Sequence, residues 1–294
     1  MNKTDVEKGK LSVIESLAEL YPQLYLEPGE EGMKLYPEVV LKGKEVPKKT
    51  LRHFKGSVKD DCTMVETPAG EVRAVTFGDR DDFVTFLRIM GERCQKAAIP
   101  DTQGAIFLDG IINNHKIEQH KKEYYEGFEK RREAAPGIFQ WLEEKKSFTS
   151  DKRNYTDAVL GLSIGPYSGV PAGEFGFEDE QWLEYSHKIR LFHECTHFVC
   201  YRLRPGERDK IRDELIADSV GIYAAFGKFD REMAERFLGI EDGRYVGGRL
   251  SNYTDSPDEL LGRIEKTFCT IGEIVTANTG MDPLRLALIL EDEV

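Results

Sequence analysis

The chain carries two histidines and a glutamate in a pattern that can bind a metal ion and use it. The run Phe192-His-Glu-Cys-Thr-His-Phe198 places His193 and His197 four residues apart, so on a helix both rings lie on one face and can reach the same ion. Glu194 lies between them and points slightly off that line, where a carboxylate can take a proton from water without binding the metal. The run therefore predicts a metal site with a general base beside it.

A pair of carboxylates follows at the same spacing. Glu214 and Asp218 are also four residues apart, and Pro205–Gly206 predicts a turn between them and the histidines. If a helix lies on each side of this turn, His197 and Glu214 are equally far from it. An antiparallel helix pair then places His197 level with Glu214, and His193 level with Asp218.

Two imidazoles and one carboxylate suit a catalytic zinc ion, which keeps a fourth position open for water. We therefore expect His193, His197 and Glu214 to bind one zinc ion per chain. Asp218 is expected to accept a hydrogen bond from a ligand imidazole, and the helix count favours His193. The same ligand types also bind non-haem iron, and that alternative stays open.

These residues resemble the active site of the zinc metallopeptidases called gluzincins, of which thermolysin is a familiar example. The resemblance covers the HExxH run and Glu214-x-x-x-Asp218, within about residues 160–225. It implies that the two histidines and Glu214 bind zinc, that Glu194 is the general base and that Asp218 orients a histidine. The chain departs from the family in its short connection, because the third ligand of gluzincins usually lies slightly further along.

A peptidase of this kind also needs a donor that stabilises the oxyanion formed on the substrate carbonyl. Gluzincins usually supply a tyrosine or a histidine downstream of the motif. No histidine follows His197, and the candidates are Tyr201, Tyr223, Tyr245 and Tyr253. Tyr201 is the preferred catalytic candidate because it lies four residues past His197 on the same helix face, but the choice among the four stays open.

The elements around the motif follow from apolar periodicity. Strands are predicted at Val72–Phe77, after a hairpin turn at 66–71, at Ala105–Ile112 and at Asp157–Ile164. Helices are predicted at 7–20, 81–97, 113–135, 138–146, 178–203, 208–226, 230–238, 256–275 and 283–291. The predicted fold class is α+β, with a small mixed sheet packed on the HExxH helix and a mainly helical, zincin-like C-terminal half.

The predicted organisation is a peripheral segment, 1–60, followed by a zincin-like metallohydrolase domain, 61–294. The metal-site core of that domain is expected at about 157–226. Prolines, glycines and lysines in 27–60 predict irregular structure or short strands there.

The third strand has a predicted role in substrate binding. The zincin resemblance implies that the strand beside the active-site helix holds an extended peptide by backbone pairing. Asp157–Ile164 is the candidate for that sheet edge, with the loop 165–174 at the mouth of the cleft. In this loop Glu174 is an alternative partner for a substrate amino group, and the competing interpretation of the loop is a simple connector.

The composition limits which binding partners and which cellular compartment we expect. A net charge of −12 argues against nonspecific binding of nucleic acid. No apolar run approaches the roughly 20 residues of a membrane span, and the charge-rich start lacks the apolar segment of a secretory signal. The five scattered cysteines fit reduced thiols better than a disulfide framework. We therefore expect a cytoplasmic protein that binds neither nucleic acid nor membrane.

Taken together, the motifs predict a zinc-dependent hydrolase, most simply a metallopeptidase with a peptide or protein substrate. The alternative is a non-catalytic, metal-stabilised binding module with a zincin-like fold. The intact Glu194 favours the enzyme, because a purely structural metal site has no use for a base at that position.

Overall fold

The computed structural model describes residues 12–294, and these fall into two compact units built from alternating stretches of the chain. The described part of the first unit is 12–60, Asp81–Ala98 and Leu108–Val159, and the second unit is Asp61–Arg80, Ile99–Phe107 and Leu160–Val294. Residues 12–60 therefore lie in a unit that also contains later parts of the chain. Their peripheral role stays a prediction.

The first unit is rich in helices. They are α1 (Val13–Leu20), α2 (Glu30–Val40), α3 (Arg80–Met90), α4 (Asn114–Arg131) and α5 (Ile138–Phe148). The predicted helix 7–20 begins outside the described residues, and its described part is helical from Val13. Helices α3 and α4 end several residues earlier than the periodicity predicts, whereas α5 agrees with its predicted position.

Helix α2 corrects the prediction of irregular structure at 27–60. Gly32 and Pro37 both lie inside this helix, although each residue normally disfavours a helix interior. A Cβ atom at Gly32 would lie 3.0 Å from the Cys94 Cβ, so the glycine permits close packing instead of making a turn. Burial of Val39 and Val40 on the same helix outweighs the local preference.

A partly buried carboxylate joins strand and helix within the first unit. Asp157 accepts hydrogen bonds from the Tyr21 hydroxyl and the Asn113 amide, each at 2.8 Å, and pairs with Lys116 Nζ at 2.6 Å. Burial raises the pKa of Asp157, but these three donors outweigh it and hold the pKa below its usual value. The carboxylate is therefore stabilised in its charged form.

Four strands form a mixed sheet in the order β1-β2-β4-β3. Their bounds are β1 (Asp61–Thr67), β2 (Gly70–Phe77), β3 (Ala105–Ile112) and β4 (Thr156–Ser163). The predicted hairpin is confirmed, because β1 and β2 pair antiparallel and Thr67 lies opposite Gly70.

The strand order corrects the prediction that Asp157–Ile164 is the sheet edge. The corresponding strand, β4, lies between β2 and β3, and β3 is an edge strand. The last five residues of β4, 159–163, are all buried, as expected for a strand covered on both faces. Periodicity identifies a strand but does not determine which strands lie beside it. The sequence therefore could not show that this strand lies inside the sheet.

The second unit contains the predicted helical half of the chain. Its helices are α6 (Asp179–Leu203), α7 (Lys210–Phe226), α8 (Arg231–Leu238), α9 (Pro257–Ala277) and α10 (Pro283–Glu293), with a short hairpin of β5 (Ile240–Glu241) and β6 (Arg244–Tyr245). All five predicted helices are confirmed, with bounds that differ by two residues at most. The α+β class and the helical C-terminal half are therefore confirmed.

Helices α6 and α7 pack unusually closely. A Cβ atom at Gly221 of α7 would lie 2.7 Å from the Ile189 carbonyl oxygen of α6, so only a glycine allows this approach. The side chain of Asp209 accepts a hydrogen bond from Arg212 N and begins α7. The predicted helical hairpin is thus present, and its spacing depends on one small residue.

None of the helices in residues 12–294 combines the length and the apolar character that crossing a membrane requires. All five cysteines are free thiols, so no disulfide contributes to the fold of the described chain.

Candidate metal centre

Three side chains with metal-binding atoms converge between α6 and α7. His193 Nε2 lies 3.0 Å from His197 Nε2 and 3.5 Å from Glu214 Oε2, and His197 Nε2 lies 3.4 Å from Glu214 Oε1. Within residues 12–294, these three form the one group of His, Cys, Asp or Glu side chains close enough together to hold a metal ion. The structure therefore brings together the three predicted ligands.

The distances between these atoms fit a tetrahedral zinc ion. Ligand atoms placed about 2.0–2.1 Å from such an ion lie roughly 3.3 Å from each other. The two histidine nitrogens lie 3.0 Å apart, and each lies 3.4 or 3.5 Å from a different oxygen of Glu214, so the group has about the size that such an ion requires. The donor set is also the one expected of a catalytic zinc site, in which three protein ligands leave one position open.

The surroundings of His193 favour a cation. Its Nδ1 atom lies 2.9 Å from Asp218 Oδ1, and the Asp218 side chain is completely buried. Burial lowers the pKa of His193, but the carboxylates of Asp218 and Glu214 outweigh it and raise this pKa to about 10. The same two carboxylates attract any positive charge placed at Nε2.

Asp218 is held by residues that sequence reasoning missed. The Tyr167 hydroxyl donates to Asp218 Oδ1 at 2.7 Å, and Arg249 Nη2 donates to Oδ2. Burial raises the pKa of Asp218, but Arg249 and His193 lower it below its usual value. Nothing in the sequence around Tyr167 pointed to this role, and Arg249 lies between Tyr245 and Tyr253 without a motif of its own.

Glu194 is buried beside the three ligand residues and lines the same cleft. Burial raises the pKa of this carboxylate, and the nearby His193 and His197 oppose that rise. A carboxylate with a raised pKa is a better proton acceptor near neutral pH. Glu194 does not belong to the metal-binding group, which agrees with the position expected of a base.

The cleft has a volume of about 680 Å³. Its walls include the predicted ligands, Glu194 and the chain from Thr102 to Phe107, which contains the start of β3. The Phe107 ring lies 5.9 Å from the rings of Phe198 and Tyr201 on α6. Strand β3 therefore lies beside the HExxH helix at Phe107, and β2 contacts the same helix between Thr76 Oγ1 and His187 Nε2, at 3.0 Å.

The four tyrosine candidates have different surroundings. Tyr201 lines the cleft with 51% of its surface exposed. Tyr253 also lines the cleft, and its hydroxyl donates to Glu214 Oε2 at 2.8 Å. Tyr223 and Tyr245 instead donate to the carbonyl oxygens of Met281 and Gly248, where they stabilise packing and a loop. The structure thus leaves Tyr201 and Tyr253 as candidates.

The loop 165–176 after β4 contributes to the centre through Tyr167, while Glu174 lies elsewhere. Glu174 is exposed and forms an ion pair with Arg236 at 3.7 Å. It is absent from the described lining of the cleft, so the geometry does not favour it as a partner for a substrate amino group.

Comparison with known proteins places the chain in a family. A family model described as "Family of unknown function (DUF7005)" matches residues 2–277. The chain belongs to this family. No curated protein and no solved structure matches it. The matched range contains every residue of the metal centre, from Tyr167 to Tyr253.

Proposed function

We propose that this DUF7005 protein is a zinc-dependent hydrolase, and most simply a metallopeptidase with zincin-like packing around α6. The observation that carries this proposal is the convergence of His193, His197 and Glu214, each of which offers one ligand atom within 4.8 Å of the other two, since this donor set is the one expected of a catalytic zinc site. Two further features support it. Glu194 lies in the same cleft without joining the ligand set, and Asp218 binds the outer nitrogen of a ligand imidazole.

Each residue has a distinct part in the proposed reaction. When bound, a zinc ion supplies Lewis acidity that makes water a competent nucleophile near neutral pH. Glu194 accepts the proton that this water loses and delivers it to the leaving amine. Asp218 keeps the His193 ring in the orientation that directs Nε2 into the site.

A donor for the substrate oxyanion is available on the wall of the cleft. The Tyr253 hydroxyl lies beside Glu214, within the metal centre itself, whereas Tyr201 is half exposed at the Phe107 side. A donor must reach the oxygen on which charge develops. The Tyr253 hydroxyl lies closer to the metal centre than Tyr201 does, and in the proposed reaction its O–H turns from Glu214 Oε2 to the substrate oxygen. We therefore favour Tyr253 over Tyr201.

The shape of the cleft supports a peptide as the substrate. Strand β3 is an edge strand, and its first residues, Ala105–Phe107, line the cleft. An edge strand offers backbone donors and acceptors to an extended chain, which is the usual way in which a peptide adds to a sheet. The aromatic rings of Phe107 and Tyr201 provide an apolar wall for one of its side chains.

The test combines metal analysis with one pair of matched variants. The purified protein is stripped with a chelator, reloaded separately with zinc, ferrous iron or manganese, and assayed on a mixed peptide library. Glu194→Gln keeps the size of the side chain but cannot accept the proton, so we expect full zinc content and a loss of activity of about 100-fold or more. Glu184→Gln makes the same change at an exposed position of α6 and should retain full activity.

The outcomes separate the competing functions. A zinc-loaded protein that cleaves no peptide would favour the metal-stabilised binding module. Activity restored by iron and not by zinc would favour the non-haem iron alternative. A Glu194→Gln variant that remains as active as Glu184→Gln would remove Glu194 from the mechanism.

A further inference from the structure

Tyr167 lines the cleft of the metal centre and contacts both members of a largely buried ion pair, Asp218 and Arg249. Its hydroxyl donates to Asp218 Oδ1 at 2.7 Å and accepts a hydrogen bond from Arg249 Nη1 at 3.2 Å. The same hydroxyl lies 2.9 Å from His193 Nδ1. Tyr167 is therefore in direct contact with the three groups that decide how His193 is held.

Arg249 competes with His193 for Asp218. Its Nη2 already binds Asp218 Oδ2, while its Nη1 is occupied by the Tyr167 hydroxyl. A guanidinium prefers to bind a carboxylate through two parallel hydrogen bonds, one to each oxygen. By occupying Nη1, Tyr167 prevents the second of these bonds and leaves Oδ1 available to His193 Nδ1, at 2.9 Å.

The hydrogen bond to Oδ1 decides which nitrogen of His193 can bind a metal. A neutral imidazole carries one N–H group, and the other nitrogen carries a lone pair. When Nδ1–H donates to Asp218, the lone pair is on Nε2, which faces His197 and Glu214. When Nδ1 loses its acceptor, the proton is free to move to Nε2, where it blocks metal binding.

We propose that Tyr167 is a positioning residue that keeps Asp218 turned towards His193 and so maintains the metal-binding tautomer of this histidine. The proposal rests on the metal site proposed above and not on hydrolysis. Tyr167 would thereby tune the affinity for the metal without touching it, as partners of ligand residues commonly do.

The loop that carries Tyr167 is held independently of its hydroxyl. Arg190 is buried and donates to the carbonyl oxygens of Gly165 and Pro166, at 2.6 and 2.7 Å. The Tyr167 backbone N–H donates to Ser186 Oγ at 2.9 Å. A Tyr167→Phe variant therefore removes one hydroxyl while the loop and the ring stay in place.

The test measures zinc affinity and tautomer state, neither of which requires activity. Zinc affinity is determined by competition with a chromophoric chelator. The His193 tautomer is determined by ¹⁵N NMR of the metal-free protein at a pH above the His193 pKa of about 10, where the ring is neutral. For Tyr167→Phe we expect zinc binding to weaken by about 10-fold or more, together with a mixed tautomer. Tyr185→Phe is the control, because it removes a hydroxyl that lies on α6 but outside the metal centre. It should change neither the zinc affinity nor the His193 tautomer.

A second variant tests the competition itself. In Tyr167→Phe combined with Arg249→Lys, the ammonium cannot form the two-pronged contact with Asp218, so part of the zinc affinity should return. Unchanged affinity and an unchanged tautomer in Tyr167→Phe would overturn the role of Tyr167. Weakened binding with no recovery in the double variant would show a merely structural role. A wild-type protein that binds no zinc would instead overturn the proposed metal site, and this result is distinguishable from the others.

Discussion

Replacing Gly221 by alanine should push α6 and α7 apart and weaken both the fold and the metal centre. The new Cβ atom would lie 2.7 Å from the Ile189 carbonyl oxygen and 2.9 Å from Ile189 Cγ2, whereas ordinary contacts begin at 3.4 Å. The helices must therefore separate by about 0.7 Å at this point. Rotation of a side chain cannot relieve the contact, because the oxygen belongs to the backbone of α6.

The expected magnitude follows from two opposing terms. Overpacking a tightly packed site costs about 1–3 kcal/mol, and alanine regains about 1 kcal/mol through its higher helix propensity. Since the clash is with backbone, we expect a net loss of about 1–2 kcal/mol in the free energy of unfolding. Zinc distances tolerate changes of only about 0.2 Å, so a shift of Glu214 with α7 should weaken zinc binding by about 10-fold or more.

The assay is denaturant unfolding of the metal-free protein, followed by chelator competition for zinc. Gly262→Ala is the matched control, because Gly262 also lies inside a helix, α9, but a Cβ atom there would meet nothing within 4 Å. The control should gain up to about 1 kcal/mol with unchanged zinc affinity. If Gly221→Ala behaves like Gly262→Ala in both measurements, the close helix contact does not determine the geometry of the site.

Three further predictions concern single side chains. Asp218→Asn should lose about 3 kcal/mol of stability, because it leaves the largely buried Arg249 without its counter-charge, and it should also weaken zinc binding. Wild-type values in unfolding and chelator titrations would refute this prediction. Tyr253→Phe should lower kcat more than it raises KM, because the hydroxyl beside Glu214 is proposed to stabilise the oxyanion in the transition state. An unchanged kcat would mean that another group stabilises the oxyanion. Asp157 has a lowered pKa in the folded protein, so its stabilising effect is present above its unfolded pKa of about 3.9 and is lost as pH falls through the lower folded value. Asp157→Asn should therefore reduce the free energy of unfolding at pH 7, and this free energy should fall less steeply below about pH 4 than in the wild type. Unfolding at several pH values measures both effects, and a fall as steep as that of the wild type would contradict this account.

The sequence was most informative where the interactions are local. A spacing of four residues places two side chains on one helix face whatever the rest of the fold is, so His193 could be paired with His197, and Glu214 with Asp218. The turn at Pro205–Gly206 then predicted that the two pairs face each other, because in an antiparallel helical hairpin the residues at equal distances from the turn lie level. Helix positions in the C-terminal half followed for the same reason, since apolar periodicity is a local property.

Contacts between residues distant in the sequence were decided by the tertiary structure. The order of the strands places β4 inside the sheet and β3 at its edge, and no strand's own pattern states which neighbour it will have. Helix α2 forms although Gly32 and Pro37 disfavour it, because burial outweighs local propensity.

The same distinction applies within the metal centre. Its ligands were predictable because they lie on two helices joined by a short turn. Tyr167 and Arg249 were not, because they reach Asp218 from short 3-10 helices 51 and 31 residues away in sequence, which are too short to show a periodicity. From the sequence alone, Gly221 is only a residue of low helix propensity. Its actual role, to let two helices approach, depends on Ile189 of the other helix. Sequence spacing therefore determined which side chains share a helix face, whereas packing between distant segments determined how those side chains are oriented and held.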